Sequence, residues 1–244
     1  MDNSKNIGLG RFYNAIYSEQ LVDEYKGNPL IEALPPLFNE EEIVEKLTCI
    51  PKYNNDERLL SSDLRYQYVH RLFSYFEPLD HHIDLEKRLS SVMRQGYLSR
   101  NPLAPEYAVK LQEGYRIIKS GKYELIDDIR YGSTASGFTI IGISGIGKSR
   151  TINRILSLYP QVIVHSQYKD YPLSLYQLTF LKIDCPTDGS IKGLCISFFK
   201  EVDKVLNTNY DRIFGNPRNS IDALLPRMAQ IASLHCLGLL VIDE

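Results

Sequence analysis

Apolar positions recur along most of this chain at helical spacing, broken by a few short runs that read as strands. The strongest period lies at 191–206, where Ile191, Leu194, Cys195, Phe198, Phe199, Val202, Val205 and Leu206 share one face. Asp188, Gly189 and Ser190 supply its start. Nearer the N-terminus, Asn39 followed by Glu42 marks a helix start, with Ile43, Val44 and Leu47 as its buried face and Pro51 as its stop. Ser61 or Ser62 opens a second helix with Leu64, Tyr68, Leu72 and Phe76 on one side, ended by Pro78. A third runs from about Asp84 towards Gly96 with Leu85, Leu89, Val92 and Met93.

These three helices predict a small helical unit over residues 1–100. Residues 1–37 are polar, and the adjacent prolines Pro35 and Pro36 make the end of that stretch an extended segment, either packed on its own domain or free to dock. Asn101-Pro102 to Pro105 is the linker to the remainder, 101–244. There a helix carries Leu111, Tyr115 and Ile118 before Gly121, and residues 127–137 form a polar approach to the β-prone run Phe138–Ile141. Ile152, Ile155, Leu156 and Tyr159 make a helix stripe stopped by Pro160. Val162-Ile163-Val164, Leu178 to Asp184 and Leu239 to Ile242 read as strands, with a Tyr/Pro-rich connector after the first. A polar loop at 207–219 leads to Ser220 and a helix with Ile221, Leu224, Leu225 and Met228, kinked by the internal Pro226. Strands alternating with helices place this part in the α/β class.

The chemistry sits between the first of those strands and its helix. Gly142-Ile143-Ser144-Gly145-Ile146-Gly147-Lys148-Ser149 fits G-x-x-x-x-G-K-[ST], the phosphate-binding loop. The glycines let successive backbone N–H groups turn inward on an oligophosphate, and the following helix adds its positive end. Lys148 then reaches the β- and γ-phosphates, and the Ser149 hydroxyl serves Mg²⁺. The run Leu239–Ile242 ends in Asp243-Glu244, an acid for the Mg²⁺ shell followed by one that polarises the attacking water. Neither D-x-x-G nor N-K-x-D occurs, so the expected nucleotide is ATP rather than GTP.

Composition changes this picture little. With 43% hydrophobic and 24% charged residues, the 244-residue chain is that of an ordinary globular protein. No run approaches a membrane span or a signal peptide, so a cytoplasmic protein is expected. Cys49, Cys185, Cys195 and Cys236 lack metal-ligand spacing and read as reduced core thiols. The adjacent His81 and His82 point to different helix faces and cannot chelate together. A net charge of −2 excludes a generic nucleic-acid binder and leaves room only for local DNA contacts.

Five segments carry a family likeness: Asn28-Pro29 through Pro36, Gly96-Tyr97 through Asn101-Pro102, Tyr159 to Ile163, Leu181 to Cys185, and Leu237 to Glu244. In order and over nearly the whole chain, they resemble the AAA+ ATP-binding transposition regulators of the TnsC/TniB group, from transposons that choose their target sites. The resemblance implies a three-layer α/β/α P-loop core over 101–244, truncated after Glu244, behind a partner-docking helical unit at 1–100. It implies an ATPase that uses ATP and Mg²⁺ through Gly142 to Ser149, Asp243 and Glu244, and that assembles as a homo-oligomeric ring or filament on DNA. Such a protein links target-selector proteins to a transposase.

The family's DNA contacts lie between the two nucleotide motifs, where Lys192, Arg212 and Arg218 are the candidates. Lys200 and Lys204 read instead as the wet face of a helix. Family members continue past this point with a sensor strand, an arginine finger and a lid. The chain is therefore expected to be an N-terminal fragment, inactive by itself. Two other readings share the loop: a small-molecule or nucleoside kinase, and a nucleotide-binding adaptor without turnover.

Overall fold

In the computed structural model, which describes residues 11–120, 136–216 and 219–243, the polar N-terminal stretch is threaded into the body of the protein. β1 (Phe12–Asn14) later meets residues 162–164 as a parallel neighbour. The expected extended segment is interrupted by α1 (Pro29–Glu32), a single turn. Asn28 caps it by accepting from the Leu30 N–H, and Pro29 takes the first position, where a missing N–H costs nothing. Leu30 and Ile31 are fully buried, so the described part of this stretch packs on its own chain.

α2 (Glu40–Leu47) starts on a capping box: Asn39 Oδ1 accepts from the Glu42 N–H, and the Glu42 carboxylate accepts from the Asn39 N–H. Ile43 and Leu47 are buried, whereas Val44 is exposed and does not join that face. α3 (Ser62–Val69) forms where its pattern predicts, then tightens into a 3₁₀ turn at His70–Ser74. The stripe behaves differently from its period, however. Leu64, Tyr68 and Leu72 face outward, and only Phe76 reaches the core. α4 (Asp80–Leu98) begins before the expected Asp84 because His82 Nδ1 accepts the Leu79 N–H and caps it. Leu89 and Met93 are buried as predicted. α5 (Pro105–Ser120) follows the linker. Gly121 and most of the polar approach at 127–137 lie outside the described residues.

α6 (Lys148–Leu156) buries Ile152, Ile155 and Leu156. The next segment corrects the sequence reading. The Tyr/Pro-rich stretch is no connector: β2 (Val162–Tyr168) and β3 (Tyr171–Leu178) form an antiparallel hairpin turned at Lys169 and Asp170, with Lys169 at φ 50°. Leu173, Leu175 and Gln177 alternate inward, a period of two that the tyrosines and proline obscured. Thr179 then separates β3 from β4 (Phe180–Asp184), so the predicted 178–184 strand is split. α7 (Ile191–Leu206) is capped by Ser190 as predicted, though Ile191 is exposed. α8 (Tyr210–Phe214) falls inside the expected polar loop, because Asp203 accepts from the Tyr210 and Asp211 N–H groups. α9 (Ile221–Leu234) contains Pro226 and buries Leu224, Ile231 and Leu234, while Ile221 and Leu225 stay exposed. β5 (Leu239–Asp243) closes the described chain.

The described strands make two sheets, β1-β2-β3 and, as the second, the parallel ladder β4-β5. Side chains of the second ladder alternate between two hydrophobic clusters. Phe180, Leu239 and Val241 pack with α4 and α6, while Leu181, Ile183 and Leu240 pack with α7 and α9. A parallel sheet buried on both faces by helices is the α/β P-loop arrangement expected from the sequence. Among the described residues, no helix is long and apolar enough to cross a membrane. All four cysteines are free, but only Cys195 and Cys236 are core; Cys49 is half-buried and Cys185 exposed.

The helical unit grips the start of β5. Tyr97 donates its hydroxyl to Cys236 O at 2.8 Å, and Arg100 Nη1 donates to Leu237 O at 2.7 Å. Gly238 lies so close that an added Cβ would sit 2.5 Å from Tyr97 Oη and 2.6 Å from Thr179 O. Gly238→Ala is therefore expected to destabilise the protein by roughly 1–3 kcal/mol, read as a lower denaturant midpoint.

Two buried histidines add a pH dependence. His165 Nδ1 accepts from Tyr17, and its Nε2–H donates to Gln177, whose amide is oriented by Leu30 O. His235 bonds Tyr210. Burial pulls both imidazoles down from 6.5 to about 4. The unfolded chain then binds protons that the native state refuses, so the stability contributed by each neutral ring is full above 6.5 and is lost as pH falls towards 4. In His235→Phe, urea midpoints should fall less steeply across that window than in the unaltered protein.

Candidate nucleotide site

α6 starts in an unusual way for this protein. Its N-terminal position is Gly147 at φ 96°, a left-handed conformation that a side chain would strain, and no side chain caps the first turn. Gly145 is likewise at φ 82°. The first turn reads Lys148, Ser149, Arg150, with no acid, whereas α2 opens with Glu40, Glu41 and Glu42. An uncapped, acid-free helix start preceded by a glycine-rich loop leaves N–H groups and the helix dipole available to an anion. Lys148 folds back over the loop, donating to Gly142 O at 2.9 Å and Ile143 O at 3.4 Å.

The second half of the site arrives through tertiary structure. Parallel pairing places Asp184 beside Asp243 at the ends of β4 and β5, and the ladder continues through Cys185 N–H to Asp243 O at 2.7 Å. Asp243 Oδ1 accepts from the Ser149 hydroxyl at 2.9 Å. A hydroxyl and a carboxylate at this distance are a hard-oxygen donor pair suited to Mg²⁺, so the residues fit the metal and the triphosphate that the loop implies. A cleft of about 510 Å³ runs beside them, bounded by Phe138, Thr139 and Ile140 on one side and by β5 on the other, with Lys148 at its edge.

One participant was not singled out in the sequence. Lys182, in the middle of β4, makes an ion pair with Asp243 Oδ2 at 2.7 Å and donates to Asn153 of α6 at 3.0 Å. The signal was a lysine inside an otherwise apolar strand, two residues before its terminal acid. Its ammonium holds the Asp243 carboxylate against α6 and compensates a charge that is mostly shielded from water.

The other candidates fare unevenly. Phe138–Ile141, expected as the strand that delivers the loop, pairs in no ladder among the described residues and is exposed. Extended backbone needs a hydrogen-bonded neighbour to become a strand, and here β5 lies across the cleft. Arg212 is exposed on α8, and Lys192 is half-buried in the first turn of α7; neither lines the cleft. Glu244 and Arg218 lie outside the described residues.

Residues 129–244 match the family model of an AAA domain. That match covers the loop, most of the cleft lining and β5, and it indicates an AAA-type P-loop ATPase domain. Among curated proteins, none matches the chain.

In the full-length protein, Lys148→Ala should abolish tight ATP binding, because no other side chain of the loop carries a charge to the β- and γ-oxygens. Calorimetric titration with Mg·ATP checks this, and a retained affinity would remove Lys148 from the site.

Proposed function

We propose that this protein is an ATP-hydrolysing regulator of DNA transposition, a cytoplasmic protein that assembles as a homo-oligomer on DNA and couples target-selector proteins to a transposase. The observation that carries the ATPase half is the meeting of Ser149 and Asp243 at 2.9 Å beside an uncapped phosphate-loop helix. The transposition half is supported by the five ordered segments that resemble the TnsC/TniB regulators, including stretches of the helical unit that a generic nucleotide-binding protein has no reason to share.

In this reading ATP with Mg²⁺ supplies the phosphoanhydride and the charge that offsets its developing negative oxygens. The chain does the rest. Gly142 to Gly147 wrap the phosphates, Lys148 holds the β- and γ-oxygens, and Ser149 and Asp243 hold the metal. Lys182 keeps Asp243 in place from behind, and Glu244 polarises the attacking water. Residues 1–100 serve as the docking region for partner proteins, ahead of the ATPase core at 101–244. Lys192, Arg212 and Arg218 meet DNA phosphates, which explains how a chain of net charge −2 binds DNA locally.

Measured on the full-length protein, Glu244→Gln separates the steps: it should bind ATP, fail to turn it over, and remain on DNA in ATP where the unaltered full-length protein dissociates. Arg212→Ala with Arg218→Ala should weaken binding to all DNA sequences alike and lower the log–log salt slope by about 1 for each cation removed. Both are read by fluorescence anisotropy on labelled duplex DNA. ATP turnover indifferent to DNA, with a phosphoryl acceptor consumed instead, would favour a kinase.

A further inference from the structure

Residues 49–76 leave the helical unit and return to it as an excursion. Its base is a single antiparallel bridge, Cys49 N–H to Phe76 O at 2.8 Å and Phe76 N–H to Cys49 O at 2.9 Å. The phosphate-loop helix clamps both limbs from outside. Arg154 donates to Leu47 O at 2.9 Å and Thr48 O at 3.2 Å, and Arg150 donates to Phe73 O at 2.8 Å and to Tyr75 O. The excursion is thus presented on a fixed base.

It carries large apolar side chains, yet the 3₁₀ turn at Asn55–Leu59, α3 and the turn at His70–Ser74 contain no buried residue. Leu59 is 88% exposed, Phe73 76%, Leu72 65% and Val69 55%. Scattered exposed leucines are ordinary, but several large apolar side chains left exposed on one short excursion mark a surface that something covers.

What covers it follows from the rim. Ile50, Val69 and Leu72 line a groove of about 450 Å³ together with Tyr53, Tyr68 and Tyr75. Four cations border it, Lys52, Arg58, Arg65 and Arg71, against one carboxylate, Glu57. Glu57 is taken by Arg71 at 2.8 Å, and among the described residues Lys52, Arg58 and Arg65 enter no ion pair. An apolar floor of aliphatic and tyrosine side chains under an excess of positive charge complements a helix with one apolar face and acidic flanks. The aromatic rings are poorly placed for bases: Arg71 lies 3.9 Å over the Tyr68 ring and Arg58 5.8 Å over Tyr53. We propose that the groove of residues 49–76 docks an acidic amphipathic helix of a partner protein. This narrows the docking role proposed for residues 1–100 to one surface and requires no nucleotide.

The test is selection from a random peptide library long enough for several helical turns, on the whole chain without nucleotide, with counter-selection on Val69→Asp/Leu72→Asp. Both positions are exposed, so an unchanged thermal melt is expected. Surviving peptides should carry apolar residues at i, i+3, i+4 and i+7 among Asp and Glu, and their binding should weaken with salt. Leu72→Asp and Arg65→Glu should each cost at least about tenfold in affinity, and a Lys-for-Glu peptide should regain binding to Arg65→Glu.

The proposal is overturned if nothing survives counter-selection or if the survivors lack acidic residues. It is also overturned if the protein sediments as a dimer that Leu72→Asp dissociates, which would make a second copy the occupant. Oligo-dT binding that Leu72→Asp and Arg65→Glu abolish would make the surface a nucleic-acid face instead. None of these results touches the ATPase reading, which is measured with Mg·ATP at a different site.

Discussion

Asp243 reaches Ser149 because β5 runs beside β4 in one register and no other, Phe180 opposite Leu239 through Asp184 opposite Asp243. Side chains alternate across a strand, so a slip of one residue would exchange the two buried faces and turn Asp243 away from α6. The register is set where β5 begins. Leu178 N–H donates to His235 O and Gly238 N–H to Leu178 O, which ties the turn after α9 to the end of β3. Tyr97 and Arg100 hold the same turn from α4, and only a glycine at 238 lets these groups approach so closely. α4 and the residues just after it are therefore part of what positions Asp243.

The same contacts explain how charge is arranged at the site. Backbone amides and Lys148 gather positive potential at the start of α6, while Asp184 and Asp243 gather negative potential at the ends of the parallel strands. Brought together without compensation the two acids would repel each other, and Lys182 lies between the strand and α6 to offset them. The arginines of α6 face the other way. Arg150 and Arg154 satisfy carbonyls at the base of the 49–76 excursion, so one short helix carries phosphate-loop residues on its first turn and supports a separate surface beyond it.

Local signals in the sequence decided what local physics can decide. The loop at Gly142–Ser149, the capping box at Asn39 and Glu42, the Ser190 and Ser220 caps and the long period of 191–206 all depend on residues within a turn or two of each other, and each forms as its pattern requires. The β2–β3 hairpin was harder to read because its alternation is carried by Leu173, Leu175 and Gln177 among tyrosines and a proline, and a turn at Lys169-Asp170 lacks the usual glycine.

What the sequence could not decide depends on neighbours far along the chain. The period through Leu64, Tyr68 and Leu72 predicts a helix with an inward face, but whether that face is buried depends on what packs against it, and Leu64 and Leu72 stay exposed. Phe138–Ile141 has strand composition, yet a strand exists only with a hydrogen-bonded partner. Lys182 carries no motif; its part in the site exists only because β4, β5 and α6 converge, bringing together residues 182, 243 and 153. The sequence by itself determined the chemistry of the loop and the acids that answer it, since those are properties of residue type and spacing. The tertiary structure alone decided which acid meets which hydroxyl, because that distance is set by a strand register and by a helix packed against it from the opposite end of the chain.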